Sequence, residues 1–169
     1  SIFYDLVSNI LLEKNLLNND KILVLPFGGG EDIDSFLNIN YFDNSNRDLY
    51  LIIDSDKHVN KFAKQTQRAE KFKNTKAKGK AYVLQKSCIE NYYHPRAFER
   101  LYNLPQNSFD FIEDDENART KIKQYKETNS ITANIKEKNN IELFREMTND
   151  EWTEIIEDDL LTFLNKILS

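Results

Sequence analysis

Leu49-Tyr-Leu-Ile-Ile-Asp-Ser-Asp56 decides how this chain is read. Leu49 to Ile53 is a continuous apolar run, β-branched at its end, which reads as a strand buried on both faces. It stops on two carboxylates, Asp54 and Asp56. In an extended backbone, residues two apart project to the same side with Cα atoms about 6.6 Å apart. The aspartates are therefore expected to converge at the carboxyl end of a buried strand, where open α/β sheets place their ligands. Two anions held so close repel by about 4 kcal/mol at 4 Å and an effective dielectric of 20. Mg²⁺, or Mn²⁺ in its place, removes that penalty, since such ions accept one or two carboxylates plus waters and phosphate oxygens. The competing reading is a pair of solvated turn aspartates, because Asp-Ser-Asp before Lys57 and His58 is also ordinary loop chemistry.

Outward from this stretch, Lys21 to Phe27 reads as another buried strand, with Pro26 pushing it towards an edge or an end. Gly28, Gly29 and Gly30 follow, then a short helix from Glu31 to Leu37 with acids in its first turn. A glycine cluster between strand and helix can bring backbone N–H groups to a phosphate, though it lacks the spacing of a dinucleotide fingerprint or a P-loop. A tight structural turn is the plainer reading of it. Behind the aspartates, Lys57 to Lys80 carries nine lysines and arginines against one acid, Glu70. Lys57, Lys61, Lys64, Arg68 and Lys71 form its leading part, and Lys76 to Lys80 reads as a loop. Such a run is commonly a solvated helix face, but beside a candidate metal site it also suits nucleic-acid phosphates.

Ala81 to Leu84 reads as a third strand, followed by Glu90 in Ile89-Glu-Asn-Tyr-Tyr93, and Pro95 opens a helix. Further helices are expected over residues 2–14 and around Ile141 to Met147. Residues 113–116 and 120–130 read as a linker or a solvated helix. Thr148-Asn-Asp-Glu151 is a capping box opening one final helix with Trp152, Ile155, Ile156, Leu160, Phe163, Leu164 and Ile167 as its apolar set. Strands alternating with helices predict an α/β fold, a Rossmann-like three-layer parallel sheet with a helical C-terminal annex. Residues 1–115 form the α/β core in this reading, and 116–169 the helical extension of the same domain.

The chain has 169 residues and a net charge of −5, so any case for nucleic acid rests on local patches. No apolar run approaches a membrane span. The single cysteine, Cys88, excludes an internal disulfide and fits a cytoplasmic protein; a small, part-buried apolar residue is its expected role. His58 and His94 read as solvated loop residues.

Strand–Gly-Gly-Gly, strand–Asp-Ser-Asp and Ile89-Glu-Asn-Tyr92, in that order, resemble the Toprim domain. The likeness is nearest to Toprim domains joined to ABC-type ATPases in the OLD (overcoming lysogenisation defect) nucleases of phage defence. The resemblance implies Asp54 and Asp56 as the metal-binding Asp-x-Asp pair, Gly28 to Gly30 as the glycine-bearing strand end, and Glu90 as an acid near a second metal. Ile135 to Trp152 resembles the lysine-bearing C-terminal part, with Lys138 preferred to Lys136 as the catalytic lysine. The implied activity is Mg²⁺-dependent cleavage of DNA or RNA, with an ATPase domain in the same chain as partner and a homodimer as a compatible assembly. The family's first motif, a strand ending in Glu-Gly, is not found. Ser1-Ile-Phe-Tyr resembles the helix that follows it, so the general acid/base glutamate is expected upstream.

Two other classes share some of these features. Haloacid-dehalogenase phosphatases also end a strand on Asp-x-Asp, with Phe109 to Asp115 as a late acidic motif and Lys80 as the basic residue. That family expects Thr or Val where Lys57 and His58 stand. A non-catalytic docking or dimerisation module would present Trp152, Ile156 and Phe163 as an interface, though ordinary core packing is the plainer reading of those residues.

Overall fold

The computed structural model describes residues 30–37, 48–76, 78–132, 135 and 141–168. The strand expected at residues 21–27, the helix at 2–14, Gly28, Gly29, Lys136 and Lys138 lie outside these residues. The first described helix, α1, runs Gly30–Leu37. Strand β1 is Leu49–Ile53, as its apolar run predicts. A single 3₁₀ turn, Lys57–Val59, and helix α2, Phe62–Thr75, lead to β2 at Gly79–Val83. β1 and β2 pair in parallel, from Leu49 opposite Gly79 to Ile53 opposite Val83. α2 supplies the crossover that parallel pairing demands.

The expected strand at Ala81–Leu84 begins two residues earlier, so Lys80 is on a strand and not in a loop. Gly79 makes that start feasible. A Cβ there would come within 2.9 Å of the Phe72 carbonyl oxygen and 3.1 Å of Lys76, where the chain turns back from α2.

Side-chain alternation sends the two faces of the sheet to different cores. Leu49, Leu51, Ile53, Ala81 and Val83 meet Ile33 and Phe36 of α1 and Phe72 of α2. Phe36 and Phe72 stack at 6.4 Å between ring centroids. On the opposite face, Phe163 packs against Tyr50 and Tyr82, at 5.7 and 5.4 Å. Helices thus cover both faces of this mixed α/β arrangement.

Beyond β2 come a 3₁₀ helix at Ile89–Tyr92 and helices α3 (Pro95–Tyr102) and α4 (Ala118–Thr128). Three more follow: α5 (Ile141–Glu146), α6 (Asn149–Ile155) and α7 (Asp158–Leu168). Pro95 stands at the first position of α3, and the His94 ring accepts the Arg96 N–H as its cap. The polar stretch read as linker or solvated helix is α4, pinned by buried Ala118 and Ile122. A single apolar cluster runs from Leu84, Tyr92 and Phe98 through Ile122 to Phe144, Trp152 and Leu164. The annex therefore shares its core with residues 84–112.

The expected last helix is two helices. Its capping box forms as read, with Thr148 and Glu151 bonding reciprocally. The chain then becomes extended at Ile156 and restarts at Asp158. The Tyr92 hydroxyl donates to the Glu157 carboxylate (2.8 and 2.9 Å to its oxygens), fixing Glu157 at the break. Burial raises the pKa of that carboxyl. Asp158 and Asp159 then favour a new N-terminus through the helix dipole.

Candidate functional site at the strand ends

The segments leaving β1 and β2 stay paired after the ladder ends. The Leu84 N–H donates to the Ile53 carbonyl at 2.9 Å, and the Asp56 N–H to the Ser87 carbonyl at 2.8 Å. Between them the Ser55 hydroxyl donates to the Lys86 carbonyl at 2.7 Å. The Ser87 hydroxyl accepts the His58 N–H at 3.0 Å and also bonds to Nδ1 of the same histidine. Both serines are fully buried. Short hydroxyls replace backbone pairing where the strands diverge, so His58 is part-buried and engaged rather than a solvated loop residue.

Asp54 is half-buried immediately after β1. Asp56 departs from the extended geometry expected of it: its backbone is left-handed, φ 50° and ψ 33°. Aspartate tolerates this conformation better than most residues. The turn removes the simple same-side projection of the two carboxylates. Asp56 Oδ2 instead accepts a hydrogen bond from Gln65 Nε2 at 2.5 Å. Gln65 Oε1 accepts from Arg68 Nη1 at 3.1 Å. Arg68 closes on Asp34 of α1 through Nε and Nη2, at 3.2 and 2.8 Å. Those bonds hold the Asp34 carboxyl below its usual range.

Glu90 comes from the other strand end. Its 3₁₀ helix is fixed by fully buried Asn91, whose Oδ1 accepts from Cys88 Sγ at 2.9 Å. The Asn91 Nδ2 donates to the Glu113 and Glu116 carbonyls at 2.7 and 3.1 Å. Glu90 is only 6% exposed. Burial pushes the Cys88 thiol well above its usual range, and the charges of Glu90 and then Asp54 push it further. The thiol stays protonated, a poor nucleophile and a poor ligand for soft metals.

The hard carboxylate oxygens here suit Mg²⁺ or Mn²⁺ and not a thiophilic ion. Among the described residues, no group of three or more His, Cys, Asp or Glu side chains stands in a metal-holding arrangement.

The basic segment divides. Lys61, capping α2, and Lys64 and Lys71 on the helix are exposed. Arg68, expected with them, is buried in its ion pair with Asp34, so its cation serves the fold instead of an open face. Lys57 is half-buried, with Nζ 5.6 Å from the centre of the Phe62 ring. Gly30 opens α1.

Lys80, the basic residue of the phosphatase reading, lies towards the amino ends of the strands. It pairs there with Asp48 at 2.7 Å and Tyr50 at 2.9 Å, away from Asp54. Trp152 and Ile156 are buried and Phe163 packs on the sheet, so the docking reading loses its interface residues to the core.

Sequence reasoning missed Gln65 and the two serines. A glutamine on the buried stripe of a charged helix, and serines at both strand ends, were the available signals. Among the described residues, no helix is long and apolar enough to cross a membrane. No protein-family model matches this chain, nor does any curated protein or solved structure.

Proposed function

We propose that this chain is the metal-dependent, phosphodiester-hydrolysing part of a cytoplasmic Toprim-like nuclease, built on a Rossmann-like sheet and working with an ABC-type ATPase domain. The reading is supported by the placement of Asp54 directly after β1 and of buried Glu90 in the 3₁₀ helix that follows β2, beyond the carboxyl ends of two parallel strands. A buried carboxylate is favoured when a cation offsets its loss of hydration, and Glu90 is buried. Asp54 and Glu90 would hold Mg²⁺ as a pair of carboxylates, the other positions being water and phosphate oxygens. Such an ion, when bound, lowers the pKa of a bound water and polarises a phosphoryl oxygen. The chain's own contribution is to fix the acids and to offer Lys61, Lys64 and Lys71 to the phosphate backbone without reading bases.

Calorimetric titration with Mn²⁺, paired with cleavage of a labelled oligonucleotide, tests this reading. Asp54→Asn should lose Mn²⁺ binding and any metal-dependent cleavage while keeping its circular dichroism. Unchanged Mn²⁺ affinity in Asp54→Asn removes the reading.

A further inference from the structure

We infer that Phe62, the first residue of α2, is a stacking platform for an unpaired nucleotide of a single-stranded polynucleotide, with Val59 exposed in the preceding 3₁₀ turn, Lys57 Nζ 5.6 Å from the ring centre, and Lys61 and Lys64 close by in the chain. The inference rests on the nuclease reading and narrows its substrate to a strand with unstacked bases. Phe62 is 47% exposed and Val59 46%. The exposure follows from how α2 lies on the sheet. Phe62, Gln65, Ala69 and Phe72 share one helical face, and the last three are buried. The apolar stripe therefore continues one turn past its cover, and the aromatic emerges on the side where Asp56 and Gln65 meet.

Charge selects the occupant. Residues 57–64 carry three lysines and no acid, in a chain whose net charge is −5. The nearest carboxylate along the chain, Asp56, is already bonded to Gln65. An aromatic face beside cations suits single strands: bases stack on the ring while lysines follow the phosphates. A duplex keeps its bases stacked on each other and cannot offer a ring face to Phe62.

The test is fluorescence anisotropy with labelled oligothymidylate in EDTA, so that binding is read independently of metal and cleavage. Phe62→Ala should weaken binding by about 5- to 150-fold, the range for loss of one stacked base. Phe62→Tyr should retain it, and an abasic strand of equal length should bind the parent chain as poorly as oligothymidylate binds Phe62→Ala. Lys61→Ala should instead flatten the salt dependence. Oligouridylate run in parallel shows whether the natural strand is DNA or RNA. Equal affinity of parent and Phe62→Ala overturns the inference, as does equal affinity for duplex, or binding to anionic vesicles without binding to oligonucleotides. Phe62-dependent strand binding in a chain that takes up no Mn²⁺ leaves the platform standing and removes the nuclease reading.

Discussion

Glu151 offers the sharpest quantitative test of what holds the helical annex to the rest. It is 3% exposed and receives both arms of Arg100, Nη1 to Oε1 at 2.6 Å and Nη2 to Oε2 at 2.7 Å. The Thr148 N–H adds a third bond at 2.9 Å. Burial alone would raise its pKa, but the Arg100 bonds and then the Thr148 N–H more than reverse this, bringing it from 4.5 to about 2. At about 1.36 kcal/mol per pKa unit this corresponds to roughly 3 kcal/mol of stability. Arg100 is 40% exposed, and solvent screening trims the figure to about 2–3 kcal/mol.

The sign is fixed by linkage. A carboxyl depressed on folding stabilises fully above its unfolded pKa and loses that contribution as pH falls towards the folded value. The effect should be complete at pH 7, about half gone near pH 3.2, and nearly absent by about pH 1. Glu151→Gln keeps the volume and an acceptor for Thr148 but loses the charge. Urea unfolding at pH 7 should find it about 2–3 kcal/mol less stable than the parent, and at about pH 3.2 the deficit should be half as large. Comparing the two proteins cancels the other titrating carboxylates. A deficit constant over this range, or none at pH 7, refutes the assignment of this stability to the Arg100–Glu151 pair.

Gly79→Ala should cost about 1–3 kcal/mol, because the added methyl meets the Phe72 backbone and the carbonyl of Lys76 rather than a movable side-chain end; thermal unfolding checks it. Gln65→Glu should be about 1–3 kcal/mol less stable at pH 7, since it sets a carboxylate against Asp56 in place of an amide donor. Its deficit should shrink as the pH falls below about 4, where one of the two facing carboxyls is protonated and can donate to the other; urea unfolding at pH 7 and at about pH 4 measures this.

Elements with local causes were legible in the sequence. β1 needs only its apolar run, α3 its proline, and α6 its Thr148–Glu151 box. β2 was read two residues short because Gly79 and Lys80 are weak strand formers, yet pairing with β1 recruits both. The break at Ile156 was hidden because apolar positions keep their helical spacing from Trp152 to Ile167. Its cause is the Tyr92 hydroxyl, 65 residues away in sequence. His94 was misread for a similar reason: it looks like a polar residue before a proline, but it packs edge-to-face with Phe111 at 5.1 Å and is buried. The candidate site was legible in its acids and not in its geometry. Asp54 and Glu90 stand out as carboxylates next to apolar strands, whereas the left-handed turn at Asp56 depends on pairing with the Ser87 backbone.

The bonds around Gln65 carry a consequence for that turn. An amide has one donor end and one acceptor end, and here both are committed. Arg68 donates to Oε1, so Nε2 must face Asp56, and the amide passes the polarity of a buried cation to the rim carboxylate. Arg68 is in turn held by Asp34 of α1, the helix that Gly30 opens. Four side chains, Asp34, Arg68, Gln65 and Asp56, therefore tie α1 across α2 to the loop bearing the acids. Movement of α1 against α2 would release Arg68, free the amide to rotate, and uncouple Asp56 from the position it holds beside β1. The glycine-opened helix and the acid loop are thus joined through side chains, a connection that the sequence separation of Asp34 from Asp56 conceals.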